Sequence, residues 1–137
     1  MRDILFRAKR ENWIELPKEE WWIEGLPSHD IDGNIAEFEV YKGFASCEFI
    51  GIDPETICEY TGLTDKNGRK IFEGDIVETV YDGNVNPNYV VVWDSTELDF
   101  KATNGKEHYK KNFEYLGCCE EIIVIGNIFD NPELIGG

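Results

Sequence analysis

Four cysteines and two histidines are where metal or nucleophilic chemistry would have to begin in this chain. Cys47, Cys58, Cys118 and Cys119 contain no C-x-x-C spacing, whereas a structural zinc site draws on two such close pairs. Cys118 and Cys119 are neighbours, and adjacent side chains of an extended segment point to opposite faces, away from one shared ion. The four read as thiols kept reduced. Ser28-His29-Asp30 has the residue types of a catalytic triad, but three consecutive residues do not reach the triad's hydrogen-bonded geometry. No Gly-x-Ser-x-Gly context surrounds Ser28, Ser46 or Ser95, and His108 has no such neighbour either. Asp65-Lys66-Asn67-Gly68 invites a calcium reading that fails on register. With Gly68 as the sixth loop residue, the first position is Leu63 and the twelfth Gly74, so the first ligand and the bidentate glutamate are missing. No catalytic residue, metal ligand or cofactor is assigned.

The same turn lies in the most informative stretch of the chain, Tyr60-Thr61-Gly62-Leu63-Thr64-Asp65-Lys66-Asn67-Gly68-Arg69-Lys70-Ile71-Phe72-Glu73-Gly74-Asp75-Ile76-Val77. Gly68 accepts positive φ without steric cost, and Ile71 to Val77 reads as chain entering a strand. The stretch resembles the central motif of the YopX-like family of phage and prophage proteins. Val124-Ile125-Gly126-Asn127-Ile128-Phe129-Asp130-Asn131-Pro132-Glu133-Leu134 and, more weakly, Ile4-Leu5-Phe6-Arg7-Ala8 carry the resemblance to both ends. It implies a family and almost no chemistry. Asp65, Asn67, Gly68, Glu73, Gly74 and Asp75 are the candidate site residues, either as a recognition edge for a partner or as structural residues of a demanding turn. In the structural reading Gly62 and Gly74 permit bends and Asp75 caps backbone amides.

Charge narrows the function classes. The 28 acidic and 13 basic side chains give a net charge of −15, spread over both halves. Such a surface repels phosphate backbones, so direct nucleic-acid binding is not expected. The one basic island is Arg2, Arg7, Lys9 and Arg10. No apolar run approaches the roughly 20 residues needed to span a bilayer, and the N-terminus is too charged for a secretion signal. A cytoplasmic location in a bacterial host is expected, without membrane association.

The elements that must position these residues read as strands. Phe38 and Val40 alternate with glutamates; Leu98, Phe100 and Ala102 alternate with Glu97, Asp99, Lys101 and Thr103, which puts one face in the core. Tyr89 to Trp93 and Ile122 to Ile125 are β-branched runs suited to strands buried on both faces, with Trp93 buried beside Leu98 and Phe100. Asp53-Pro54-Glu55 and Asn131-Pro132-Glu133 each predict one helical turn, with a capping side chain and proline at the first position. Ile4 to Arg10 and Trp13 to Leu16 predict a hairpin closed at Glu11-Asn12. Residues 82–88 predict an exposed loop, and residues 105–117 are ambiguous between helix and irregular chain.

The expected fold is mostly β: an N-terminal β-hairpin lobe packed on a small C-terminal SH3-like β-barrel, with short one-turn helices. It forms one domain over residues 1–137, with lobes of about 1–59 and 60–137. The expected function is a non-catalytic binding or assembly protein of phage or prophage origin, not an enzyme. An acidic, nucleic-acid-mimicking inhibitor of a DNA-binding protein is the alternative, and an undetected hydrolase the third reading. Expected partners are a host or phage protein and a second copy of the chain. Trp21-Trp22 motivates the second copy, because strand neighbours face opposite sides and one indole must meet solvent, the other lobe or another subunit.

Overall fold

The computed structural model describes residues 4–43, 46–104 and 113–135, and the chain divides into two compact units, Met1–Tyr60 and Thr61–Gly137. Both are built from antiparallel strands, with single 3-10 turns as the only helical pieces among the described residues. The mostly-β reading is correct.

In the first unit β1 (Phe6–Lys9), β2 (Trp22–His29), β3 (Ile35–Tyr41), β4 (Cys47–Gly51) and the start of β5 (Cys58–Thr64) lie in the order β4-β3-β2-β1-β5. The chain after β1 swings back to β4: Arg10 bridges Ile52, and the Glu11 N–H donates to the Gly51 carbonyl at 3.0 Å. Gly51 leaves room for this, since a Cβ there would stand 2.5 Å from the Glu11 carboxylate. Inside, Ala8, Ile23, Phe38 and Ile52 form the core. Alternation explains the set, because Ala8 pairs Ile23 on one face of β1–β2 while Lys9 and Trp22 pair on the other.

The expected hairpin partner of β1 is corrected. Trp13–Glu15 is a 3-10 turn, and β1 pairs instead with β2, Phe6 opposite Gly25 and Lys9 opposite Trp22. The premise about Trp21 fails with it. Trp21 has helical backbone angles at the end of a second 3-10 turn, Lys18–Glu20, so it is not a strand neighbour of Trp22. Both indoles, with Trp13, stand over Lys9, which accounts for the pair inside one unit.

The second unit contains the end of β5, β6 (Lys70–Phe72), and a sheet of β7 (Asp75–Tyr81), β8 (Asn84–Asp94), β9 (Asp99–Thr103), β10 (Phe113–Tyr115) and β11 (Glu121–Asn127) in the order β10-β9-β8-β7-β11. This sheet is antiparallel throughout, and among the described residues its edge strands β10 and β11 are not paired with each other. Its core gathers Ile71, Val77, Val91, Phe100, Leu116 and Ile122.

Three expectations for this unit are revised. Residues 82–88 are not a loop. Asp82 and Gly83 have φ of 50° and 79°, a two-residue turn with both central residues left-handed, and β8 resumes at Asn84 opposite Tyr81. Pro87 is absorbed in a bulge, where Pro87 and Asn88 (φ 60°) oppose Glu78 alone. In β9 the alternation covers only half of what is buried. Phe100 and Ala102 are in the core, but Lys101 and Thr103 are buried too, because β10 lies alongside and its Phe113 and Tyr115 rings stand 4.3 and 5.2 Å from the Lys101 ammonium. Trp93 is 36% exposed and meets Phe100 edge-on at 4.8 Å, while Leu98, at φ 55° in the preceding turn, is exposed.

Both predicted helical turns are present, at Pro54–Thr56 and Pro132–Ile135. Asp53 caps the first by accepting from the Glu55 N–H at 3.1 Å. Of the ambiguous segment, Phe113–Tyr115 is strand and Leu116–Cys118 a 3-10 turn; residues 105–112, with His108, lie outside the described residues.

Candidate recognition site at the central turn

Asp65 organises the turn between β5 and β6. Its Oδ1 accepts from the Asn67 N–H at 2.9 Å and the Arg69 N–H at 2.8 Å, while Oδ2 accepts from Val124 N–H on β11 at 3.0 Å. The Lys66 N–H adds a 2.8 Å bond to the Ile122 carbonyl. Burial alone would push the Asp65 carboxyl up, but the N–H donors of Val124, Arg69 and Asn67 outweigh it and hold the group below the ordinary value of 3.8. Gly68 turns the chain at φ +83° with open space where a Cβ would point. Asp65 and Lys66 thereby cover part of the outer edge of β11, an edge otherwise open to pairing.

The other candidate residues do not assemble with Asp65. Asn67 and Gly68 are exposed at the tip of the turn. Gly74, at φ +87°, donates to the Val91 carbonyl and accepts from the Ile128 N–H, which places it between β8 and the end of β11. Asp75 is buried, and its Oδ2 accepts from the Phe72 N–H at 2.8 Å, capping the chain as it leaves β6. Glu73 is half-buried in the same bend. Of the six, Asp65 lines a cleft.

That cleft has a volume of about 410 Å³, within the range of small-ligand and side-chain pockets. Leu63, Leu116 and Ile122 line it together with Lys66, Cys119 and Glu121. Lys66 and Glu121 pair at 2.8 Å across the rim, both largely exposed, which raises the Lys66 ammonium above its ordinary value. Such an exposed pair adds little stability and is free to exchange its partner for a ligand group. Cys119 is a poor nucleophile here. Burial pushes its thiol up to about 12, helped by its 3.4 Å hydrogen bond to the Glu114 carboxylate.

Sequence reading missed two polar clusters of this unit. Lys101 binds Asp94 at 2.7 Å and also pairs with Glu97, which accepts from the Tyr115 hydroxyl at 2.9 Å. The hydrogen bonds to Asp94 and Glu97 hold the ammonium above the ordinary lysine value. Glu114 accepts from Asn86 and from Thr79. Asp94 capping the N–H groups of Thr96 and Glu97 was legible as a turn signal; the partners from β10 were not, being far away in sequence. In the first unit His29 lies on a shallow polar cleft of about 310 Å³ with Glu11, Asp30 and Glu37. Asp30 is committed to its own turn, accepting from Asp32 and Asn34 N–H groups at 2.9 Å. Among the described residues no group of His, Cys, Asp and Glu is placed to hold a metal ion.

A family profile described as YopX protein matches residues 6–136. No curated protein matches the chain. Among solved structures, the crystal structure of protein EF1440 from Enterococcus faecalis is similar in fold, with 23% identity, a TM-score of 0.52, and coverage of 98% of this chain and 99% of that one.

Proposed function

This chain belongs to the YopX protein family, and from that premise we propose that it is a non-catalytic binding protein of phage or prophage origin, acting in the cytoplasm of a bacterial host. One observation carries the reading. Asp65 and Asp75, the buried carboxylates of the central motif, accept hydrogen bonds from backbone N–H groups and so maintain the bends there, and Asp65 does so beside a cleft lined by Leu63, Leu116 and Ile122 together with the exposed Lys66–Glu121 pair. Apolar lining residues beside an exchangeable ion pair suit the uptake of an aliphatic side chain flanked by a charged one.

Affinity capture from the host with the intact protein, Leu63→Asp and Lys66→Glu, each followed by mass spectrometry, tests this. Ile31→Asp serves as the control, since Ile31 is 99% exposed and outside the cleft. The expected result is one host or phage protein retained by the intact chain and the control and lost with the two cleft variants. Equal retention by all four overturns the assignment of the cleft.

A further inference from the structure

In the first unit, β4 ends its sheet, and its backbone parity is fixed by the bonds at either end of the β3–β4 ladder. Ile52 N–H donates to the Ala36 carbonyl and Lys42 N–H to the Ser46 carbonyl, so the even-numbered residues of this strand bond toward β3. By alternation the N–H and C=O groups of Cys47, Phe49 and Gly51 face outward, and Glu11 donating to the Gly51 carbonyl confirms that direction. Glu11 occupies only the Gly51 end. Cys47 and Phe49 have no strand partner on that side among the described residues.

The side chains along the open stretch are unusual for an edge. Edges are normally blunted by charge, proline or bulges. Here Phe49 is 54% exposed and Tyr41, opposite Cys47, is 63% exposed on the same face. Glu39 stands directly opposite Phe49, Glu37 follows opposite Gly51, and Glu48 is exposed on the other face. A strand edge with unpaired backbone groups, two exposed aromatic rings and three glutamates has a definite complement.

We propose that the outer edge of β4 takes up an extended, arginine- or lysine-bearing segment of a partner protein as an added strand. Backbone bonds to Cys47 and Phe49 supply the register. Strands lie roughly 4.8 Å apart, so a residue on the added strand opposite Phe49 stands two spacings from Glu39. An arginine there lays its planar group over the Phe49 ring and reaches the Glu39 carboxylate. The net charge of −15 favours this basic occupant over a second copy of the same acidic chain. The inference is independent of the cleft in the second unit.

Titration of the protein with a capped peptide of alternating Arg and Thr, followed by amide NMR and hydrogen exchange, tests it. The expected result is that the Cys47 and Phe49 amides shift and become protected, with binding that weakens as salt rises. Phe49→Pro deletes an outward N–H and leaves the even-numbered ladder bonds intact, so the variant keeps its circular dichroism and binds about tenfold or more weakly. Glu39→Arg, which leaves the edge untouched, reverses the preference toward a Glu-Thr peptide. Equal affinity of the intact protein for the Arg-Thr and Glu-Thr peptides overturns the proposal, as do shifts that map elsewhere. Concentration-dependent protection of Cys47 and Phe49 without peptide also overturns it, by making a second copy the occupant.

Discussion

The ammonium of Lys9 lies 3.8 Å from the centroid of the Trp13 ring, in a side-chain cage that Trp21 and Trp22 extend at 4.5 and 5.5 Å. Lys9 is only 2% exposed. The two 3-10 turns between β1 and β2 bring the rings there, and the rings are held by their own polar atoms: Trp21 Nε1 donates to the Leu16 carbonyl and Trp13 Nε1 to the Asp53 carboxylate. A desolvated cation over aromatic faces contributes about 2 kcal/mol. Lys9→Met keeps the volume and removes the charge, so urea unfolding of the variant is expected to show a loss of about 1–2 kcal/mol. An unchanged midpoint would mean that the rings are held by packing alone.

Asp65 gives the second unit an acid-sensitive tie. Its carboxyl titrates below 3.8 when folded, so the folded state holds its proton less tightly than the unfolded chain does. The stabilisation is therefore complete above the ordinary carboxylate value and fades as pH falls through the lower folded value. Asp65→Asn keeps one accepting oxygen and turns an NH2 donor toward at least one of the three backbone N–H groups, so it is expected to cost about 1–3 kcal/mol at neutral pH. The variant's stability is also expected to fall less steeply between pH 4 and pH 2 (a window set around the carboxylate value,) in pH-dependent urea titrations.

Two glycines are required for different reasons, and alanine separates them. At Gly68 a Cβ meets nothing within 4 Å, and only the φ of +83° resists it, so Gly68→Ala should cost about 1 kcal/mol. At Gly126 a Cβ would stand 2.6 Å from the Asn131 Oδ1, the same atom that accepts from the Asn127 N–H at 3.1 Å. Gly126→Ala should cost more than Gly68→Ala and loosen the turn that ends β11. Thermal melts of the two variants side by side check the order.

The thiols should label in a fixed sequence. Cys47 and Cys118 are exposed, Cys58 is buried, and the Cys119 thiol is pushed up to about 12. At pH 8 Cys119 is therefore held as the unreactive thiol. Iodoacetamide at that pH is expected to modify Cys47 and Cys118 first and Cys119 only after unfolding, read by peptide mass mapping. Early modification of Cys119 would contradict a thiol held protonated by partial burial and by its hydrogen bond to Glu114.

What the sequence determined by itself was local. Asn67-Gly68 specifies a left-handed turn, Asp53-Pro54 and Asn131-Pro132 start single helical turns, and the β-branched runs at Tyr89 and Ile122 make strands, because backbone φ preference and short-range capping act within a few residues. The family resemblance was legible for the same reason, being carried by turns. Tertiary structure decided what those strands pair with and what their polar members do. The partner of β1 is β2 and not the nearer Trp13 segment, which is a 3-10 turn whose ring covers Lys9. Lys101 is buried although it occupies a polar position of an alternating strand, because β10 covers it with two rings and Asp94 neutralises it. Asp65 tethers Val124, which lies 59 positions away, and no periodicity encodes a bond of that span. Hydrogen bonds and cation–π contacts between distant segments depend on which faces meet, and a chain's own pattern specifies a face without naming its partner.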